Sequence, residues 1–429
     1  MIHGNIDHLG IIIQIIFVTY IMRYRNRKLK LSLAILAFLY AILLTGTKIF
    51  ITDANFYFYK FPKKIIEVKL DEIPDINYSK EVIIKDPIER ITKQISPKIF
   101  TEDPILFIPE TLIRETRLFF HFNNIYISAY GVIKDEKYFH IVPSYSKDKI
   151  TYKKGEECYR KAIVGFSHHT EFGHFICDML SALLLIPGNY FEDGIILVNF
   201  DIKNARNYMK YLNFDESKIF ELTKEWTYVS ECHILVAKEG VNALLVEGLP
   251  LVRKKFFENL HLNEIKPSKF NFLNRKLGLW GRLNNIDELI NAAKVKYKGK
   301  YEFGQIGDEV VYNVAAISKL LAETKFLITC PGSMVMNTIF MHENTYILIC
   351  GHRRLDAPNI GVCYSLNIYM IYADGDLPYK TLVSHPFPVH TFTFALEQMI
   401  YMIENGKWSE KVLEKYKYTY NIEELKSKL

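Results

Sequence analysis

No two of the six cysteines stand as Cys-x-x-Cys and none shows finger-like spacing, so a zinc framework has no support in the sequence. The spacing His-Glu-x-x-His is absent too, which argues against a helix-borne metalloprotease centre. Excess charge is also missing. Of the formal +6, five charges are Arg23, Arg25, Arg27, Lys28 and Lys30; the remainder is near neutral and offers no basic footprint for nucleic acid. Apolar residues, by contrast, are not scarce. At 429 residues and 49% hydrophobic content, the chain can form two domains with cores of their own, and disorder is excluded for most of it.

The N-terminus carries two apolar runs, Leu9 to Met22 and Leu31 to Thr47, on either side of the basic cluster. The second, at about 17 residues, reaches the lower limit for a membrane-spanning helix. Positive charge beside a span stays cytoplasmic. The expectation is therefore residues 1–52 as tail and anchor, either a single type II signal anchor or a short two-span hairpin, with everything after Thr52 across the membrane. A cleaved secretory signal is the competing reading. The sequon Asn77-Tyr78-Ser79 lies on the side where glycosylation occurs. In an oxidising lumen one or two disulfides are possible, but Cys177, Cys330 and Cys350 fall in apolar segments and read as buried thiols.

Residues 53–103, charged and proline-punctuated, read as a partly extended stem. Residues 104–265 begin with short apolar stretches that predict an antiparallel preface, then alternate strand and helix as a first Rossmann-like domain, whose Phe172–Leu185 stretch has helical periodicity. Residues 266–385 repeat the alternation: strands at 269–273, 326–330 and 346–350, with a capping box of Asn285 and Glu288 opening a helix. Residues 386–429 read as C-terminal helices. The fold class expected is α/β, two facing Rossmann-like domains with ligands at the carboxyl ends of the strands.

Three segments carry chemistry. His174 and Asp178, spaced i and i+4, share a helix face behind Gly173 and suit general-base work on an acceptor hydroxyl, or equally a structural hydrogen-bonded pair. Arg275 follows a strand and Arg282 lies in the next loop; both could neutralise a diphosphate without a metal, or could be ordinary solvated arginines. Pro331-Gly332-Ser333 ends a strand and is predicted to open a helix from Ser333 to Met341, a ready anion site.

These segments, Phe172-Gly-His-Phe-Ile-Cys-Asp-Met-Leu180, Asn274-Arg275 through Arg282, Asn285 and Asp287-Glu288-Leu289, and Gly332-Ser333 with Asn337 and Phe340, resemble the three motif blocks of glycosyltransferase family 61 over roughly residues 120 to 400. That family includes secretory-pathway protein O-linked N-acetylglucosaminyltransferases and plant xylan arabinosyl- and xylosyltransferases. The resemblance implies a GT-B fold, a UDP-sugar donor in the C-terminal layer, inversion at the anomeric carbon, a protein or glycan acceptor, and a type II membrane protein of the Golgi or endoplasmic reticulum. His174 and Asp178 match motif positions, with their catalytic role inferred from geometry; Arg275, Arg282, Gly332, Ser333 and Asn337 are the donor-binding positions, and a divalent metal is not expected. The chain departs from the family at Pro331, where His is usual, and near Ile349 and Cys350, where an acidic residue often stands.

Those departures motivate a second reading, a non-catalytic binding protein of the same fold. A third uses Asp374-Gly375-Asp376 as the metal-binding pair of a GT-A transferase, although the same triplet makes a good turn. A metallohydrolase built on His168, His169, Glu171, His174 and Asp178 lacks the required spacing. Gly165-Phe-Ser167 lacks the second glycine of a nucleophile elbow.

Overall fold

A computed structural model of the protein describes residues 61–67, 76–83, 86–97, 114–141, 150–167, 169–237, 247–279, 281–307, 309–353, 356–378, 381–382, 384–418 and 421–427. The apolar runs at 9–22 and 31–47, expected as membrane spans, lie outside them. Among the described residues, no helix is long and apolar enough to cross a membrane. The chain divides into two compact units, Met1–Pro62 and Lys63–Leu429, and every described strand and helix belongs to the second.

The segment expected as a stem is built into the fold. It supplies β1 (Ile66–Glu67), β2 (Ile76–Ile83), α1 (Pro87–Thr92) and β3 (Gln94–Pro97). The sequon Asn77-Tyr78-Ser79 thus falls within β2, at a register irregularity against β4 (Arg114–Ser128). There follow β5 (Gly131–Lys134), β6 (Lys137–Phe139) and β7 (Lys154–Gly165). A continuous helical stretch comes next: α2 (Phe172–His174), a π-helical turn Phe175–Leu180, and α3 (Ser181–Leu185). The half closes with β8 (Ile195–Val198), α4 (Ile202–Met209), β9 (Ile219–Glu221), β10 (Trp226–Ala237) and α5 (Gly248–Asn259).

The strand order of this sheet is β1-β6-β5-β4-β10-β7-β8-β9, with β2 also on β4. β10, β7, β8 and β9 run parallel, while β4 joins β10 antiparallel and continues antiparallel into β5. An α/β layer thus carries an antiparallel wing.

The second half contains β11 (Lys269–Leu273), α6 (Ile286–Lys296), β12 (Phe303–Ile306), α7 (Val314–Ala322), β13 (Thr324–Thr329), β14 (Tyr346–Gly351), α8 (Ala357–Ser365) and β15 (Tyr369–Asp374). After it come α9 (Val389–Asn405), α10 (Glu410–Lys415), β16 (Tyr416–Tyr418) and α11 (Ile422–Ser427). Its sheet order is β12-β11-β13-β14-β15-β3-β16. The strands from β12 to β15 are parallel, as their uninterrupted apolar runs require when both faces are covered.

Two features correct the expected boundaries. β3 comes from the supposed stem yet lies parallel beside β15, and Gln94 Nε2 donates to the Ile368 carbonyl at 2.7 Å. The C-terminal segment, expected as helices alone, adds β16 as an antiparallel edge on β3. The cores are not separate either. One cluster runs from Phe175, Ile176 and Leu180 of the first half to Val335, Met336 and Ile347 of the second. Separate clusters cover the outer faces of the two sheets. Helices packed between two sheets bury apolar area against both, so the halves share their middle layer.

Candidate functional site

The stretch from Phe172 to Leu185 forms a helix because Phe175, Ile176, Met179, Leu180 and Leu183 recur on one buried face. The π-helical turn at its centre, marked by the Ser181 backbone N–H donating to the Ile176 carbonyl five residues back, was not legible from that periodicity. Such turns appear mostly as single turns inserted within α-helices. His174 Nδ1 and Asp178 Oδ2 are 2.8 Å apart, at 21% and 10% side-chain exposure. An ionised carboxylate only accepts, so Nδ1 carries the proton of this bond. Burial, the largest single influence, pulls the His174 pKa down, but the Asp178 hydrogen bond and charge, with Glu171 and Asp356, outweigh it and hold the pKa above the ordinary value.

Gly173 faces the other half. A Cβ there would stand 3.3 Å from Met336 Cγ and 3.4 Å from Ser333 Oγ, and Cys177 Sγ lies 3.3 Å from Met336 Sδ. The first motif block therefore rests on the third.

The Gly332 loop is held by three hydrogen bonds from two side chains, those of Asn359 and Arg275. Gly332 has φ +91°, the left-handed region that glycine tolerates. Its N–H donates to Asn359 Oδ1 at 2.7 Å, and Asn359 Nδ2 donates back to the Gly332 carbonyl at 3.2 Å. Arg275 Nη2 donates to the Pro331 carbonyl at 2.9 Å. Arg275 is buried rather than solvated, and Arg282 Nη1 donates to the Arg275 carbonyl, so the structure brings the two arginines together beside the loop. Asn274 sets this up: its Oδ1 accepts from the N–H groups of Arg275 and Leu283, both at 3.0 Å, and its Nδ2 donates to the Leu283 carbonyl at 2.8 Å.

Several expectations are corrected. No α-helix begins at Ser333; Val335–Phe340 is a short 3₁₀ helix, so the loop has no helix dipole of consequence behind it. Asn337 is fully buried and donates to the Met334 carbonyl at 3.1 Å, which makes it an internal post. Asn285 does not close a capping box. It joins Glu288 Oε2 through Nδ2 at 2.8 Å and accepts the Phe387 N–H at 2.9 Å, tying α6 to the segment before α9.

Asp374 and Asp376 form a turn: the Asp376 N–H donates to Asp374 Oδ1 at 2.8 Å, and Arg353 Nε pairs with Asp376 Oδ1 at 2.7 Å. Of the metallohydrolase set, His168 lies outside the described residues, while the rings of His169 and His174 meet edge-on at 4.9 Å. All six cysteines are free thiols; Cys177, Cys330 and Cys350 are buried as expected.

Sequence reasoning missed Asp356 and Asn359. Asp356 precedes Ala357-Pro358 at the start of α8, an ordinary helix-opening signal, yet its side chain does not cap. Its Oδ2 lies 3.7 Å from where a Gly332 Cβ would be, and its charge acts on His174. Nothing local in the sequence says so.

Residues 172–348, which hold all three blocks, match the family model described as Glycosyltransferase 61. They form a family 61 glycosyltransferase region. As glycosyltransferases act between two substrates, the family implies a donor and an acceptor. No curated protein matches the chain. Within the family 61 region, Asn274, Arg275 and Gly332 are bound into one loop system against which Gly173 packs.

Proposed function

We propose that the protein is a membrane-anchored, inverting glycosyltransferase of GT-B type that moves a sugar from a UDP-sugar to a hydroxyl of a protein or glycan. The observation that carries this reading is the contact of Gly173 with Ser333 and Met336, which sets a histidine–carboxylate pair beside a loop flanked by two arginines. In this scheme Nε2 of His174 takes the acceptor proton while Asp178 holds the ring by Nδ1. The acceptor oxygen bonds to the anomeric carbon as the bond from that carbon to the diphosphate oxygen breaks, and the electron pair leaves on UDP. Arg275 and Arg282 supply the positive charge that a metal provides elsewhere. Anchoring falls to the apolar runs before Thr52, with the remainder in the lumen of the Golgi or endoplasmic reticulum.

The test is a thermal-shift screen of UDP-sugars on the full chain, followed by transfer assays with the best donor. Stabilisation should follow mass action, about 2.7 kcal/mol at a hundredfold excess over Kd. Turnover lost in Arg275→Ala and His174→Ala, and indifferent to added Mn²⁺ or Mg²⁺, supports the scheme. Donor binding without turnover in the unaltered chain would identify a binding protein instead.

A further inference from the structure

We propose that His121, Glu231 and His233 form a binding site for one divalent transition-metal ion of the zinc class, bridging β4 and β10 away from the Gly332 loop. Their ligand atoms all lie within 4.8 Å of one another, an arrangement not found elsewhere among the described His, Cys, Asp and Glu residues.

The topology explains the convergence. Along β10, residues 231 and 233 point to the same face because the side-chain period of a strand is two. In the antiparallel pairing with β4, His121 stands directly opposite His233, and their rings are 4.6 Å apart. Two imidazoles and one carboxylate therefore meet on one face from two hydrogen-bonded strands, a donor set suited to zinc and its neighbours. Ligands bound at about 2.0–2.1 Å around a tetrahedral ion stand about 3.4 Å from each other. His233 Nε2 is 2.8 Å from Glu231 Oε1, so small rotations of side chains, with no movement of the strands, bring the set to that spacing.

The surroundings are those of a positioned ligand. His233 has 1% side-chain exposure, and its ring is fixed by Phe119, stacked at 6.0 Å, and Tyr190, edge-on at 4.6 Å. Its Nδ1 is buried with no hydrogen-bond partner among the described residues. Glu231 and His121 are partly exposed and give an ion access, with water completing the shell.

One group opposes the ion. Lys161 of β7, paired in register with Glu231, holds its Nζ 3.8 Å from Glu231 Oε1. The ammonium competes for the carboxylate and sets the affinity. The site is distinct from the glycosyl-transfer centre. Tyr190 follows the end of α3 at Leu185, whereas His174 lies in the first turn of that helical stretch, roughly 16 Å of helix away. The ion is thus a clip on the antiparallel wing.

Metal-stripped full-length chain is titrated with Co²⁺, whose visible d–d bands report nitrogen and oxygen ligation, and then with Zn²⁺. Expected are one equivalent of Co²⁺, its displacement by Zn²⁺, and a Zn²⁺-dependent rise in melting temperature. His121→Ala and Glu231→Gln should each weaken binding by more than about the 10–100-fold that loss of a group hydrogen-bonded to a ligand costs. Glu231→Gln retains a hydrogen-bonding oxygen for His233, so its metal-free circular dichroism and melting should match the unaltered chain. Lys161→Met should tighten binding. Absence of a saturable one-equivalent uptake, or uptake unchanged in both ligand variants, overturns the site whatever the outcome for glycosyl transfer.

Discussion

Gly332 and Arg275 share one space. A Cβ on Gly332 would lie 1.9 Å from Arg275 Nη2, the atom that donates to the Pro331 carbonyl. Gly332→Ala therefore meets two costs, a left-handed φ of +91° and displacement of a buried guanidinium. Together they should destabilise the fold by about 2–5 kcal/mol. Urea unfolding measures this, and a change below 1 kcal/mol, roughly one lost hydrogen bond, would show that Arg275 moves aside freely.

At Gly173 the tightness is milder: 3.3 Å to Met336 Cγ and 3.4 Å to Ser333 Oγ. Alanine should fit with a small shift of the Met336 side chain, and valine should not. Transfer activity is expected to fall about 10²-fold in Gly173→Val, the scale of an ångström's misplacement, with a far smaller loss in Gly173→Ala. Equal activity in the two variants would remove the junction from the mechanism.

His174 gives a pH signature. Its folded pKa lies above the ordinary value of about 6.5, so its protonated form contributes stability that is complete below that value and is lost as pH rises through the folded pKa. As base it must be neutral, and kcat/KM should rise with pH through the same raised pKa. Asp178→Asn removes the hydrogen-bonded charge, so the rising limb should move to lower pH while kcat falls about 10²-fold or more. A limb that stays in place in Asp178→Asn would assign the titration to another group.

Asn274 is nearly fully buried and satisfies two backbone N–H groups and one carbonyl of the loop from Arg275 to Leu283. Asn274→Ala leaves them without that partner at a cost of about 3 kcal/mol, the scale of buried unsatisfied groups. The donor KM should rise with it, because the same loop carries both arginines. Chemical denaturation and donor titration read the two effects separately.

Asp376 supplies the contrast. Its ion pair with Arg353 is exposed, 83% and 64% respectively, and solvent screens it. Asp376→Ala should leave transfer activity within about twofold, since exposed surface substitutions away from a site shift energies little. Loss of a metal-dependent activity in that variant would instead favour the two-aspartate metal reading.

Local pattern made much of the second half legible. The runs at 269–273, 326–330 and 346–350 are strands because each is a short apolar stretch covered on both faces, and Phe172–Leu185 is helical because its apolar residues recur at helical spacing. The same logic failed at Ser333, where periodicity suggested an α-helix and packing of Val335, Met336 and Phe340 gave a short 3₁₀ turn. It also failed at Asn285, whose side chain is drawn to Phe387, 102 residues away.

What the sequence by itself determined is the alternation of strand and helix in the middle of each half and the three short blocks that mark the family, since both are written among near neighbours in the chain. Tertiary structure alone decided that β3 crosses into the second sheet, 274 residues from Ile368, whose carbonyl Gln94 engages. It also decided that Asn359 and Asp356 attend Gly332, and that His121 faces His233. The reason is physical: backbone preference and periodicity act over a few residues, whereas the burial of a shared middle layer chooses which distant polar groups must meet.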